Sequence, residues 1–281
     1  MNRSIRESWS PIRVGAFQHL RCNSWPLVHF LSSELSGVIL SDWQPASIGM
    51  RLMMRHLDLA LLPSAELLNL SHVRIVSDCC IACKGVVGSV RLISRKPLGE
   101  IGTLALDVSS RSSVLMCELL LLHYFGIRPA CYSFDAGCLF DDCGADAFVV
   151  VGDAALCYNP SERWIYQYDL GSLWFEKTGL PFVFATWVSC DENIWSNDEC
   201  IRACKRARDY AINNIDKLLD EKYAELKKLS LPRNIVKSYL SNSIIYKLGE
   251  TERAGLQFFF DLAQLHGFTK HKTQVEIIDS C

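Results

Sequence analysis

Short β-rich runs alternate with longer helical runs over the first two thirds of the chain, and this order is what most constrains the fold. The runs Ile12–Phe17, Leu57–Leu62 and Asp146–Val151 are rich in β-branched and apolar residues and predict strands. The run Ser112–Phe125 is apolar on all sides and predicts a helix buried inside the protein. An alternation of this kind predicts an α/β architecture with mostly parallel sheets.

Beyond about Asn197 the pattern becomes helical and predicts a tail of three helices, interrupted at Pro232 and Gly249. The charged run Arg202–Lys228 predicts one exposed helix, because its acidic and basic residues pair at helical spacing. Since acidic residues interrupt the basic ones throughout this run, it does not predict a nucleic-acid-binding surface.

Charge and hydropathy exclude several classes of protein. With 29 Lys+Arg against 31 Asp+Glu in 281 residues, the chain lacks the basic excess of a general nucleic-acid or acidic-membrane binder. The stretch Met1–Arg13 has the charge of a secretory peptide but no apolar run. The apolar stretch Val114–Ile127 is interrupted by Glu118 and His123 and is shorter than the ~20 residues that span a bilayer. We therefore expect a cytoplasmic protein without a membrane or nucleic-acid partner.

The thirteen cysteines include two closely spaced pairs, Cys80-x-x-Cys83 and Cys200-x3-Cys204. Two such pairs could form a structural zinc site, which needs four ligands. The second pair has helical spacing, however, and no His-x3–5-His pattern follows it. In a reducing compartment the sequence favours free, buried thiols over zinc ligands or disulfides.

A serine-rich loop between a strand and the buried helix is a candidate anion site. The segment Leu104–Ser113 reads LALDVSSRSS, with Ser109 or Ser110 placed as the helix N-cap. The amides and hydroxyls of Ser112 and Ser113 would then face an anion at the positive end of the helix. Simple capping of a long helix explains the same serines, and the residues alone leave both readings open.

Other small polar loops follow strands in corresponding positions. In open α/β sheets, ligands bind beyond the carboxyl ends of strands, where loops lead into helices. Several such loops in two halves of a chain predict a shared cleft between two lobes. The loops are Asn23-Ser24, Pro63-Ser64, Lys84–Ser89 and Gly152-Asp153.

Several stretches of the chain occur in an order that is typical of one enzyme family: VGAF…NSWPL, LDLALLPS, GVVGSVRLIS, LALDVSSRSS, DAFVVVGDAAL, YDLGSLWFEKTGLPFVFATW and ETERAGLQFFFDLAQLHG. On these stretches, from Arg13 to Gly267, the chain resembles chorismate dehydratase, an enzyme of the futalosine route to menaquinone. The stretches TGLPFVFATW and LDVSSRSS are the most specific when they occur together.

The resemblance implies a two-lobed, periplasmic-binding-protein-like type II fold with two crossover hinge strands and a helical C-terminal tail. One lobe would contain residues 1–93 and 187–281, and the other residues 94–186, with the substrate cleft between them. The crossover strands would be Ser89–Ser94 and Phe182–Trp187.

The resemblance also implies a reaction. Chorismate dehydratase removes water from chorismate to give 3-[(1-carboxyvinyl)oxy]benzoate, and formation of the aromatic ring drives the elimination. The enzyme must hold a dianion and stabilise charge that builds on the ring carboxylate. It needs neither a metal nor a redox cofactor, so the expected partner is the small molecule chorismate alone. The oligomeric state is not predicted.

Matching the family's motifs residue by residue implies roles for several side chains. Ser89 corresponds to a cleft serine and is expected to be catalytic, together with Asn23. Asp153 corresponds to the family's acidic residue at the end of a strand. In this interpretation the substrate's own enolpyruvyl carboxylate takes the ring proton. The residues expected to bind substrate are Ser110, Ser112, Ser113, Asp153 and Arg21.

The first loop departs from the family pattern, which is typically V-G-x-V-x-Y-L-N-x-x-P-L. Here the chain reads VGAFQHLRCNSWPL. Counting back from Pro26-Leu27 places the family asparagine at Asn23, whereas counting forward from Val14-Gly15 places Arg21 there and His19 at the tyrosine. Both alignments remain open at this point.

Two other functions compete with the dehydratase. The sister enzyme dihydroxynaphthoate synthase usually begins with a motif like S-P-C-P-N-D-T, which this sequence lacks. A cytoplasmic protein that binds or senses a carboxylate could use the same fold, because a fold does not fix a function. The set Ser89, Ser112, Ser113 and Asp153 favours the enzyme.

Overall fold

The computed structural model describes residues 11–17, 22–42, 45–106, 110–133, 144–228 and 230–279. Two β-sheets with helices packed around them form the protein. The strands are β1 Ile12–Ala16, β2 Val38–Asp42, β3 Leu59–Pro63, β4 Arg74–Cys83, β5 Val90–Ser94, β6 Thr103–Leu106, β7 Ala130–Ser133, β8 Ala147–Val151, β9 Tyr166–Asp169, β10 Phe182–Ser189, β11 Ile245–Lys247 and β12 Ile277–Ile278.

Most helices are short, and the longest are α5, α9 and α13. A 3-10 turn at Cys22–Ser24 precedes the first helix, another lies at Leu98–Glu100, and a π-helical turn lies at Tyr239–Ser243. The helices are α1 Trp25–Val28, α2 Leu31–Glu34, α3 Pro45–Met53, α4 Ser64–Leu67, α5 Arg111–Phe125, α6 Asp153–Cys157, α7 Leu170–Thr178, α8 Glu192–Trp195, α9 Asp198–Asn213, α10 Ile215–Glu221, α11 Tyr223–Lys228, α12 Arg233–Ser238 and α13 Glu250–Leu265.

The two sheets are built from different parts of the chain. The first sheet has the order β11-β4-β10-β3-β1-β2, with β12 beside β4, and the second has the order β7-β6-β8-β5-β9. The second sheet therefore consists of one continuous chain segment, whereas the first is completed by strands that follow it. This is the topology expected when the chain leaves one lobe and later returns to it.

The prediction of mostly parallel sheets was wrong, because both sheets are mixed. Strand β10 runs antiparallel to β3 and β4, and β5 runs antiparallel to β8 and β9. Parallel pairing is confined to β1 with β2 and β3, β6 with β7 and β8, and β12 with β4. Strands β5 and β10 are the first strands after each passage between the sheets. Each runs antiparallel to the strands on both sides of it. The order of strands and helices along the sequence does not reveal this.

The expectation of a wholly helical tail was also wrong. Strand β11 pairs with the second half of β4, and β12 pairs with the first half of β4. These strands have three and two residues and are too short to produce a periodic pattern. The single helix predicted over Arg202–Lys228 is divided into α9, α10 and α11, with the first break at Asn214.

The buried helix was predicted correctly. Helix α5 packs with Met116, Cys117 and Leu119 fully buried, and it ends at Gly126, whose positive φ of 67° suits glycine. The main hydrophobic core extends through both sheets, and a smaller cluster around Phe148 and Trp164 covers the opposite face of the second sheet. In the part of the chain that the structure describes, no helix is long and apolar enough to cross a membrane.

The predicted boundaries at residues 93/94 and 186/187 remain a prediction. Strand β5 lies wholly in the second sheet and β10 wholly in the first. We therefore propose that the passages between the lobes lie in residues 84–89 and 170–181, slightly before each predicted boundary.

Candidate functional site

A pocket lies where the first loop, the crossover strands and the start of α5 meet. Its cavity volume is about 40 Å³, well below the ~300–1,000 Å³ typical of small-molecule sites, so the lobes lie close together around it. Five of the predicted site residues line it, namely Asn23, Ser89, Ser110, Ser112 and Ser113. Its other lining residues are Phe17, Pro63, Ile81, Val90, Gly152, Phe184 and Ala185.

The first loop presents Asn23 to this pocket. A hydrogen bond from the Ser24 hydroxyl to the Phe17 carbonyl, 2.8 Å long, joins the two sides of the loop. The Oδ1 atom of Asn23 is buried and has no hydrogen-bond partner among the described residues. An unpartnered buried carbonyl that lines a pocket is suited to accept a hydrogen bond from a ligand. Arg21, the other candidate in this loop, lies outside the described residues.

Asp153 connects the two lobes at the edge of the pocket. It follows β8 as the first residue of α6, and its carboxylate accepts the Cys22 amide, with both oxygens 3.1 Å from the nitrogen. Burial, and next the Asp153 charge, raises the pKa of the Cys22 thiol well above its ordinary value. The thiol therefore stays protonated, and the Asp153 contact fixes the turn that carries Asn23.

Ser89 is held from several directions at the start of β5. Its carbonyl accepts the Gly152 amide at 2.8 Å, and its hydroxyl accepts a hydrogen bond from the Tyr239 hydroxyl at 2.7 Å. The preceding turn is held by Asp169, whose carboxylate accepts the Gly88 amide at 2.7 Å. Tyr239 and Asp169 were not predicted as site residues. No local motif marks Tyr239, whereas the strand-end position of Asp169 could have drawn attention to it.

The start of α5 supplies several hydrogen-bond donors. Its first backbone bond runs from Val114 to the Ser110 carbonyl, so the amides of residues 111–113 have no partner within the helix. The Ser113 hydroxyl accepts from the Ser110 hydroxyl at 3.0 Å, which leaves its own hydrogen available. Ser110 occupies the N-cap position, but its side chain makes no capping hydrogen bond. Ser109, the other predicted N-cap, lies outside the described residues.

The Ser112 hydroxyl is already engaged with the opposite lobe. It accepts the Ala65 amide at 3.1 Å and donates to the Phe184 carbonyl at 2.9 Å. Because a hydroxyl has one hydrogen, the Ser112 side chain has no donor left for a ligand, and only its backbone amide remains. The serine therefore joins α5 to α4 and to β10.

Among the residues that the structure describes, those that line the pocket offer dipoles and no positively charged side chain to an anion. The described lining residues include no lysine, arginine or histidine. The neighbouring Arg111 is half exposed, and its Nε lies 2.8 Å from Glu66 Oε1, an ion pair by distance but without hydrogen-bond alignment. Hydroxyls, free amides and the positive end of α5 are thus the groups that can hold a carboxylate here.

The two cysteine pairs do not form part of this site. Cys80 and Cys83 are buried in β4, and Cys200 and Cys204 are buried in α9. Burial raises the pKa of the Cys80 and Cys83 thiols above their ordinary value. Among the described residues, no three His, Cys, Asp or Glu side chains are arranged to hold a metal ion.

Comparison with known proteins identifies relatives over nearly the whole chain. Residues 12–265 match the model of a family described as menaquinone biosynthesis. The chain is 29% identical over 253 residues to the chorismate dehydratase of Thermus thermophilus, covering 84% of this chain and 90% of the relative.

Two solved structures show the fold. A protein of Archaeoglobus fulgidus superposes with a TM-score of 0.72 at 14% identity, covering 92% of this chain and 98% of that one. The periplasmic aliphatic sulphonate binding protein of Escherichia coli gives a TM-score of 0.66 at 15% identity, covering 95% and 91%. The predicted periplasmic-binding-protein-like fold is confirmed.

Proposed function

The chain belongs to the menaquinone biosynthesis family, and we propose that it is a chorismate dehydratase, a hydro-lyase that converts chorismate into 3-[(1-carboxyvinyl)oxy]benzoate. The observation that supports this most is the pocket in which Asn23, Ser89 and the first turn of α5 meet. The similarity to the Thermus thermophilus enzyme supports the choice of substrate.

The pocket suits an elimination that begins from a dianion. Loss of the ring proton leaves charge that spreads to the ring carboxylate, and we place this carboxylate at the amides of residues 111–113. Fixed dipoles at this helix start stabilise the added charge without reorganising. The Ser113 hydroxyl, whose hydrogen is available, adds a donor at the same place.

The elimination balances without a further reactant. The C–H bond breaks and its electron pair enters the ring, while the proton passes to the substrate's own enolpyruvyl carboxylate. The neighbouring C–O bond then breaks, and the hydroxide leaves with the bonding pair and combines with that proton as water. The protein holds the substrate in the reactive geometry, a contribution that can be large by itself.

Asn23 and Ser89 are proposed to act at the hydroxyl that leaves. The unpartnered Asn23 Oδ1 can accept its hydrogen, and the Ser89 hydroxyl can donate to its oxygen. Asp153 is proposed to act indirectly, because its carboxylate already binds the Cys22 amide. We also propose that the protein works in the cytoplasm, which its family's biosynthetic role supports.

The test is to incubate the purified protein with chorismate and to follow the reaction by mass spectrometry. We expect loss of one water without added metal or nucleotide. Ser89→Ala should be strongly impaired, and Ser196→Ala, a change of an exposed serine after α8, should match the wild type. Tight binding of unchanged chorismate would instead indicate a carboxylate sensor and refute the proposal. Turnover of a different substrate alone would point to the sister synthase.

A further inference from the structure

Tyr239 contacts the site from the C-terminal part of the chain, in which the sequence predicted no functional residue. It begins the π-helical turn Tyr239–Ser243 that follows α12, and its side chain is 4% exposed. Its hydroxyl lies 2.7 Å from Ser89 Oγ, a contact between residues 150 positions apart. Single π-helical turns inside helical segments occur often at functional sites.

The hydrogen bonds around Tyr239 have a definite order. Burial raises the pKa of the Tyr239 hydroxyl, and the neighbouring Asn23 side chain acts against this. Because the Asn23 Oδ1 atom has no partner among the described residues, it does not take the Tyr239 hydrogen. That hydrogen goes to Ser89.

The hydrogen bonds around Tyr239 leave one donor and one acceptor for a ligand in the pocket. Ser89 Oγ uses a lone pair to accept from Tyr239, so the hydrogen of Ser89 remains for a ligand. The buried Asn23 carbonyl oxygen, which has no partner among the described residues, remains to accept. A donor and an acceptor side by side match a hydroxyl group, which both accepts and donates.

We infer that Tyr239 is a positioning residue that turns the Ser89 hydroxyl, which lies beside the Asn23 carbonyl, toward the hydroxyl that chorismate loses. The inference rests on the proposed function. Burial raises the pKa of the Tyr239 hydroxyl well above its ordinary value, so it stays protonated and keeps its donor. Since the oxygen of the leaving hydroxyl gains negative charge as its bond breaks, the Ser89 hydrogen bond strengthens in the transition state.

The test is a double-mutant cycle with Tyr239→Phe and Ser89→Ala. Tyr239→Phe removes only the hydroxyl and should lower kcat about tenfold, the order expected from one misdirected hydrogen bond to a developing charge. KM should stay within about twofold, because the interaction strengthens only in the transition state. In the Ser89→Ala background the same change should have no further effect, because its partner is missing.

Tyr246→Phe is the matched control. The Tyr246 hydroxyl is also buried, but it has no hydrogen-bond partner among the described residues. Its removal should leave kcat unchanged. If Tyr239→Phe fails to fold, as judged by circular dichroism and thermal melting, Tyr239→Met keeps apolar bulk without the hydroxyl and is expected to show the same kinetics.

The possible outcomes separate this inference from the proposed function. An unchanged kcat in the Tyr239 variant, or an equal loss with and without Ser89, would overturn the inference alone. A rise in KM with constant kcat would also overturn it, since it would show a role in ground-state binding. Wild-type protein that leaves chorismate unchanged would refute the proposed function and this inference together.

Discussion

The adjacent residues Ser112 and Ser113 should respond to alanine substitution in opposite ways. Both are buried near the start of α5, so the change in helix propensity is the same for both. Ser112→Ala leaves the Ala65 amide and the Phe184 carbonyl without their hydroxyl partner. Each buried polar group left unsatisfied costs ~1–3 kcal/mol, so we expect the two together to lower the free energy of unfolding by about 2–6 kcal/mol. Ser113→Ala removes one bond to the half-buried Ser110 and should cost ~0.5–1.5 kcal/mol.

The effects on substrate should be reversed. The Ser113 hydroxyl has a hydrogen available for a carboxylate, and a hydrogen bond to a charged group contributes ~1.5–3 kcal/mol. Ser113→Ala should therefore raise KM by at least about tenfold. Ser112→Ala keeps its backbone amide, which is the donor that we assign to the substrate. Its KM should stay within about threefold of the wild type, because the lost hydroxyl had no donor left for the substrate.

Urea unfolding followed by circular dichroism gives the stabilities, and initial rates at varied chorismate concentration give KM. A Ser112→Ala protein that unfolds like the wild type but binds substrate poorly would refute the reasoning. It would mean that the Ser112 hydroxyl leaves Phe184 and binds the ligand. Equal stability losses in both variants would show that the contact with the opposite lobe contributes little.

Two further predictions concern stability. A Cβ at Gly255 in α13 would overlap the Pro181 carbonyl, and overpacking costs ~1–3 kcal/mol, so Gly255→Ala should lower the midpoint of thermal unfolding. Gly99→Ala, where nothing lies within 4 Å of the added atom, should leave it unchanged or raise it. The ring nitrogens of His123 and His266 lie 2.9 Å apart, and burial and then the His123 charge lower the pKa of His266. Folding thus favours neutral His266, so thermal stability should fall as the pH drops below ~6.5, and this fall should be smaller in His266→Gln.

The sequence was sufficient for many of the local elements and for five of the residues that line the pocket. Serines at strand ends and helix starts can be recognised because capping and anion binding need the same residue types. Strand β4 shows where local patterns fail, because it continues to Cys83 past a charged residue, Asp78. A charge interrupts the apolar run there, but Arg208 of α9 lies 2.6 Å from the Asp78 carboxylate and compensates it. This pairing depends on tertiary contact, as does the contact of Tyr239 with Ser89.

The contacts that form the pocket are also the contacts that join the lobes. Asp153 of one lobe binds the Cys22 amide of the other, next to Asn23, and Ser112 binds the Ala65 amide. Because these bonds join the two lobes, they hold the Asn23 carbonyl and the start of α5 at the same pocket. Dipoles stabilise charge strongly only when they are aligned beforehand and screened from water. The bonds that join the lobes therefore also keep the dipoles of the described lining residues aligned for an anion.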